Sequence, residues 1–183
     1  MQKLSAPLGV YAVPGNHEYY SGYQEWMMYL SSLNINMLQN QAVKILHQQS
    51  SLVIAGITDP VAPRRGEKGP DLASTLKNVA SSDFVILLSH QPRMAIQTAE
   101  YPVDLQLSGH THGGMITGFH LLVSSFNQGF SSGLYPVEQM LLYVSNGTGI
   151  WSGFPFRLGK NAEITLLTCS YAKQDIPESV NKE

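Results

Sequence analysis

Four of the six histidines fall in three short polar clusters: Asn16-His17-Glu18, Ser89-His90 and His110-Thr111-His112. Imidazole suits zinc, iron, manganese and other borderline metals, and an asparagine carbonyl adds a hard oxygen. Each cluster follows an apolar run that reads as a β-strand: Gly9 to Val13, Phe84 to Leu88, and Val103 to Leu107. A fourth such run, Leu52 to Ile57, ends in Thr58-Asp59-Pro60. In open α/β sheets ligands bind outside the carboxyl ends of the strands, so the clustering points to one site. Taken alone, His17 reads as a loop residue in a glycine turn and His90 as a strand cap. His110 and His112 are more specific. One residue apart in extended backbone, they would face the same way, with Gly109, Gly113 and Gly114 permitting close approach of backbone to an ion. His47 and His120 lack such surroundings and read as structural or surface residues. Asp59 reads either as a spare carboxylate or as an Asp-Pro turn residue. Arg64 and Arg65 sit in a loop with proline and glycine and read as solvated rather than phosphate-binding.

The elements that would position these residues alternate between strand and helix. Tyr23, Trp26, Met27, Leu30 and Leu33 follow helical spacing, with the tryptophan and the methionines at 27 and 28 as core or rim residues. Val43 to Leu46 is a short β-type run. Asp71 reads as the N-cap of a helix whose inner face carries Leu72, Leu76 and Val79. The unbroken apolar run Phe84 to Leu88 suits a strand buried on both faces. A short helix is expected over Met94 to Tyr101, after Pro92. Met140 to Val144 and Ile164 to Thr168 read as strands with no helix between them, which predicts an antiparallel pair. The stretch from Leu105 to Val137 carries no Asp, Glu, Lys or Arg, which suits packed loops lining a site better than a solvated surface.

Composition narrows the classes. The chain has 183 residues, one domain's worth at about 100–200 residues per domain. Charged residues make up 13%, about half the usual ~25%, yet the longest apolar run is far below the ~18–20 residues of a membrane span. A net charge of −2 gives no electrostatic footprint for nucleic acid, and a single cysteine excludes a disulfide framework or a Cys-based zinc site. Lys3 and the apolar residues to Val13 resemble a signal peptide, but Pro7 and Gly9 interrupt the run and no small-x-small cleavage site follows, so a β-strand ending in a turn is the better reading.

Gly15-Asn16-His17-Glu18, Ser89-His90-Gln91-Pro92 and Gly109-His110-Thr111-His112 together resemble, in order, the later motifs of the calcineurin-like metallophosphoesterase superfamily. Gly113-Gly114, Gly133-Leu134-Tyr135 and Leu142 to Gly147 are similar to a bacterial subgroup that includes membrane-associated phosphodiesterases and a UDP-diacylglucosamine hydrolase. The resemblance runs from about Gly9 to Leu167. It implies an α/β fold, the layered α/β/β/α sandwich of that superfamily. It further implies that Asn16, His90 and His110 bind one divalent metal (Mn, Fe, Zn or similar) and His112 a second. His17 would protonate the leaving oxygen, and Glu18 would hold His17 in one tautomer. In a complete site two ions supply an activated hydroxide and clamp the phosphate for in-line displacement.

The sequence departs from the family at its start. Members open with Asp-x-His and Gly-Asp-x-x-Asp motifs, and neither precedes Gly15. The expectation is therefore a single domain over residues 1–183, N-terminally incomplete and lacking the first strands. Uncompensated buried charge costs at least several kcal/mol per ion. Asn16 and three neutral histidines offset none of the charge on two divalent ions, so at most one ion is expected. The function expected is hydrolysis of a phosphomonoester or phosphodiester, impaired in this chain. The alternative is a non-catalytic paralogue or interaction domain that keeps the fold and at most one metal. The expected partner is a phosphate-ester small molecule or a lipid-linked substrate, not nucleic acid. Self-association is expected through an unprotected sheet edge beside Gly9 to Val13. The location is cytoplasmic by default, or the membrane if an upstream segment carries an anchor.

Overall fold

A computed structural model describes residues 3–47, 50–151, 153 and 155–169. Its centre is a six-stranded sheet built from β3 (Gln41–His47), β4 (Ser50–Gly56), β5 (Phe84–Leu88), β6 (Leu105–Ser108), β7 (Gly133–Val137) and β8 (Met140–Val144). The strand order is β3-β4-β5-β6-β8-β7. β4, β5, β6 and β8 run parallel, and the hairpin strand β3 and the edge strand β7 are antiparallel to their neighbours. Four carboxyl ends therefore open on one edge of the sheet. The loops that carry Asp59, His90, His110 and Asn146 all leave from there.

A second, two-stranded parallel sheet joins β1 (Tyr11–Ala12) to β2 (Asn36–Met37). Gly56 lets it approach the large sheet. A β-carbon at Gly56 would stand 2.5 Å from Leu38 Cβ and 2.6 Å from Val13 Cγ1, a distance no side chain tolerates. Behind β1 and β2 lies α2 (Tyr23–Ser32), whose Met27 and Leu30 pack with Ile35, while Trp26 and Met28 face outward. On the opposite face of the large sheet, Leu72 and Leu76 of α3 (Leu72–Leu76) and Ala95 of α4 (Ala95–Thr98) cover Val53, Ala55, Val85 and Leu87. Each of the leucine and valine side chains contributes about 1.5–3 kcal/mol on full burial. The layers thus run helix, sheet, sheet, helix. No helix among the described residues is long and apolar enough to cross a membrane.

Several elements match the sequence reading and several do not. β5 spans the five residues expected, and Asp71 caps α3 by accepting from the Ser74 amide at 2.9 Å. β5 is not buried on both faces: Val85 and Leu87 are enclosed, whereas Phe84 is 40% exposed and Ile86 and Leu88 are half-buried. In β6 the register sets Gln106 beside Leu87 and Leu142, so the helix-covered face receives a glutamine rather than Leu105 or Leu107. Its Nε2 donates to Ser108 Oγ at 3.0 Å, and its Oε1 is buried without a partner. Ile164 to Thr168 forms no strand. β8 has β6 on one side and β7 on the other, so it has no free edge to offer.

Candidate metal centre

Asn16 opens α1 (Asn16–Tyr20), the short helix that follows β1 after Pro14-Gly15. His90 leaves the end of β5, and His110 the end of β6. Residues 74 and 94 apart in sequence are thereby brought into contact. Asn16 Oδ1 stands 2.9 Å from His90 Nε2 and 3.2 Å from His110 Nδ1, and the two ring nitrogens are 3.2 Å apart. Ligands held roughly 2.0–2.2 Å from one ion at tetrahedral or octahedral angles stand about 2.8–3.6 Å from each other. The three donor atoms already have that spacing, so these residues fit a single divalent metal.

Their protonation fits as well. Burial, then the nearby His17 and His112, lowers His90 to about 4. Burial, then His90, lowers His110 to about 4. Both rings are neutral at pH 7 and carry the lone pairs that coordination requires. Burial, then Arg157, also lowers His112, and its Nδ1 is buried without a hydrogen-bond partner. His112 lines the same cavity as Asn16 and His110. No carboxylate or thiolate joins the group: among the described residues no cluster of three or more His, Cys, Asp or Glu has metal-binding geometry, and the third donor here is an amide.

The local backbone differs from the extended run expected at 110–112. His110 has φ +68° and His112 has φ +51°, both left-handed. Such conformations cost non-glycine residues of order 1–3 kcal/mol and gather at functional sites. The glycines also act differently from expectation. A β-carbon at Gly109 would meet nothing within 4 Å. Gly113 instead accepts Asn146, and Gly114 accepts the backbone of His120 at the start of α5 (His120–Ser125). Close approach here packs loop on loop.

Glu18 Oε2 accepts from the Gly15 amide at 2.7 Å, closing the first turn of α1. His17 itself is exposed at the rim, edge-on to Tyr20 at 5.7 Å. Asp59 is buried: Oδ1 accepts from the Val61 amide at 2.9 Å and from Gln91 Nε2 at 2.8 Å, while Oδ2 has no partner. Burial pushes its carboxyl above the ordinary range. The bond to Val61 is the two-residue turn that an Asp-Pro sequence favours. Arg65 lies over the Tyr20 ring at 5.0 Å.

Sequence reasoning missed the residues that hold the loops together. Arg157 donates to the carbonyls of Asn146 at 2.7 Å, Gly149 at 2.6 Å and His112 at 3.0 Å. Asn146 accepts from Ser132 Oγ at 2.7 Å and donates from Nδ2 to Glu163 at 3.1 Å. The Asn146 that follows β8 was visible in the sequence, but no local spacing ties it to Arg157 or Glu163.

Comparison with known proteins now places the chain. An uncharacterised metallophosphoesterase of Helicobacter pylori is 39% identical over 171 residues, covering 91% of this chain and 44% of that protein. A bovine transmembrane protein with a metallophosphoesterase domain is 39% identical over 178 residues, covering 90% of this chain and 39% of that protein. The chain thus spans less than half the length of these relatives. Sulfate thiohydrolase SoxB of Thermus thermophilus, solved with glycerol, shares the fold with a TM-score of 0.52 at 18% identity, over 74% of this chain and 27% of that one. The sequence model of the calcineurin-like phosphoesterases matches residues 1–114, and the chain belongs to that family.

Proposed function

We propose that this chain carries part of a metal-dependent phosphoester hydrolysis site, with Asn16, His90 and His110 holding one divalent ion and His112 turned toward a second. The observation that carries the reading is the triangle of donor atoms at the carboxyl edge of the sheet. A bound ion there supplies Lewis acidity toward a phosphoryl oxygen and toward water. The neutral rings of His90 and His110 offer lone pairs at pH 7, and their left-handed and strand-end backbones fix where those lone pairs point. His17, exposed beside the cluster, would deliver a proton to the departing ester oxygen. The family relationship supports phosphoester hydrolysis in general.

A second reading keeps the fold and one ion without catalysis. It is favoured by the lack of any carboxylate among the four residues, which leaves the charge of a second ion uncompensated. Calorimetric titration of the full 183-residue chain with Mn²⁺, paired with hydrolysis of bis(p-nitrophenyl) phosphate, separates the two. Binding should approach one ion per chain and be lost in Asn16→Ala and His110→Ala. His17→Ala should bind the ion normally and lower hydrolysis by about 10²–10⁴-fold. Ion binding without measurable hydrolysis selects the second reading, and no ion binding refutes both.

A further inference from the structure

Asp59 is a buried carboxylate with no part in the donor triangle. It lies just beyond the carboxyl end of β4 and is 1% exposed. The Asp-Pro turn accounts for Oδ1, which accepts from the Val61 amide at 2.9 Å, and leaves Oδ2 buried without a hydrogen-bond partner. Among the described residues Asp59 enters no ion pair. Burying a charge in that state is costly, and buried charges are ordinarily paired or turned toward a metal.

Its contacts lead to the segments that carry the donors. Oδ1 also accepts from Gln91 Nε2 at 2.8 Å, and Gln91, itself buried, follows His90 in the chain. The His90 carbonyl accepts from the Gly109 amide at 3.1 Å, which ties the His110 loop to the same turn. Beyond Asp59 the chain reaches α1, where Arg65 lies over the Tyr20 ring. Besides burial, the charges acting on the His110 ring are led by His90 and Asp59, and those acting on Asp59 by His110, ahead of Arg93.

We propose that the Asp59 carboxylate is the counter-charge of the ion site: it stands outside the ligand set of Asn16, His90 and His110, offsets part of the ion's positive charge, and through Gln91 fixes the turn that aims His90. The inference rests on the hydrolase reading above and adds a positioning residue to its metal centre. A single carboxylate set behind neutral donors suits one divalent ion and leaves the charge of a second unmatched. Residues that support metal ligands from outside typically change metal affinity about 10–100-fold when replaced.

The test titrates the full chain with Mn²⁺ and Zn²⁺ by calorimetry and melts it in chelator, for the wild type, Asp59→Asn and the double variant Asp59→Asn/Gln91→Glu. Asparagine keeps Oδ1 for the Val61 amide and Gln91 Nε2 and removes only the charge. Ion affinity of Asp59→Asn should fall about 10–100-fold. Its metal-free melting temperature should hold or rise, because an unpaired buried charge has gone. The double variant moves the carboxylate across the same hydrogen bond and should recover most of the lost affinity, which a purely structural role would not produce. Wild-type affinity in Asp59→Asn overturns this inference alone and leaves Asp59 as a turn residue. Loss of the metal-free melting transition in Asp59→Asn overturns it too, as does a folded double variant that stays as weak as the single. If the double variant does not fold, Asp59→Asn against the wild type decides. A wild-type chain that takes up neither ion overturns the hydrolase reading and this inference with it.

Discussion

Gly15→Ala tests the donor triangle without touching a donor. A β-carbon at this position would stand 2.8 Å from His90 Cε1 and 2.9 Å from both ring nitrogens. The backbone there, at φ −98° and ψ 178°, is open to any residue, so alanine introduces a steric conflict with the ring and no backbone strain. Ordinary carbon contacts begin near about 3.5 Å, so the imidazole must retreat by roughly half an ångström or more. Metal sites tolerate about 0.2 Å in ligand distance. The retreat moves His90 Nε2 from its 2.9 Å approach to Asn16 and its 3.2 Å approach to His110, beyond that tolerance. Loss of ligand positioning of this kind lowers metal affinity about 10–100-fold. Titration with Mn²⁺ and Zn²⁺ at pH 7.5 measures it, with His90→Ala setting the floor. Melting in chelator separately records any overpacking cost, about 1–3 kcal/mol. Wild-type affinity in Gly15→Ala would refute the reasoning, as would an unaffected His90→Ala.

Three further outcomes are expected. His90 and His110 sit near 4 in the folded chain, below the ordinary 6.5, so the unfolded chain takes up protons first. Metal-free stability should be full above about pH 6.5 and fall as pH drops toward 4, and a melting temperature constant across that window would contradict the assignment. Arg157→Ala removes charge-assisted bonds to five backbone carbonyls, of His112, Asn146, Gly147, Gly149 and Lys160, and should destabilise the chain by about 1–3 kcal/mol in denaturant titration. Among the described residues β1 pairs with β2 alone, leaving its other edge unpaired. Sedimentation should therefore show mass rising with concentration, and a constant 20.1 kDa would refute self-association.

What the sequence disclosed followed from local signals. β5 was legible because five apolar residues lie between Asp83 and Ser89, and α3 because Asp71 is a strong cap. The meeting of His90 and His110 followed from the ends of β5 and β6 on one sheet edge, whereas Asn16 reaches them from β1 of the small sheet. β7 was not legible, because Gly133 and Pro136 punctuate it and proline is confined to edge strands. Its absence from the reading made Ile164 to Thr168 look like the neighbour of β8. The phase of β6 was also hidden: alternation of Leu105 and Leu107 names a face, and the register with Leu142 gives that face to Gln106 instead. The bond from the Gly15 amide to Glu18 was not legible, because Glu18 carries no signal beyond its neighbour His17 in the sequence.

The long sequence separations within the donor triangle have a consequence for folding. Asn16 and His90 are 74 residues apart, and His110 lies 20 beyond His90, so the three meet only after β5 and β6 have docked in register. An ion bound at that point would act as a cross-link between three chain segments, open only to a completed sheet. Ion concentration would then set how firmly the finished topology is held, by about 2.7 kcal/mol at a hundred times the dissociation constant. Metal occupancy would report strand assembly: a substitution deep in β5 or β6, far from the three donor residues, would be read first as weaker ion binding.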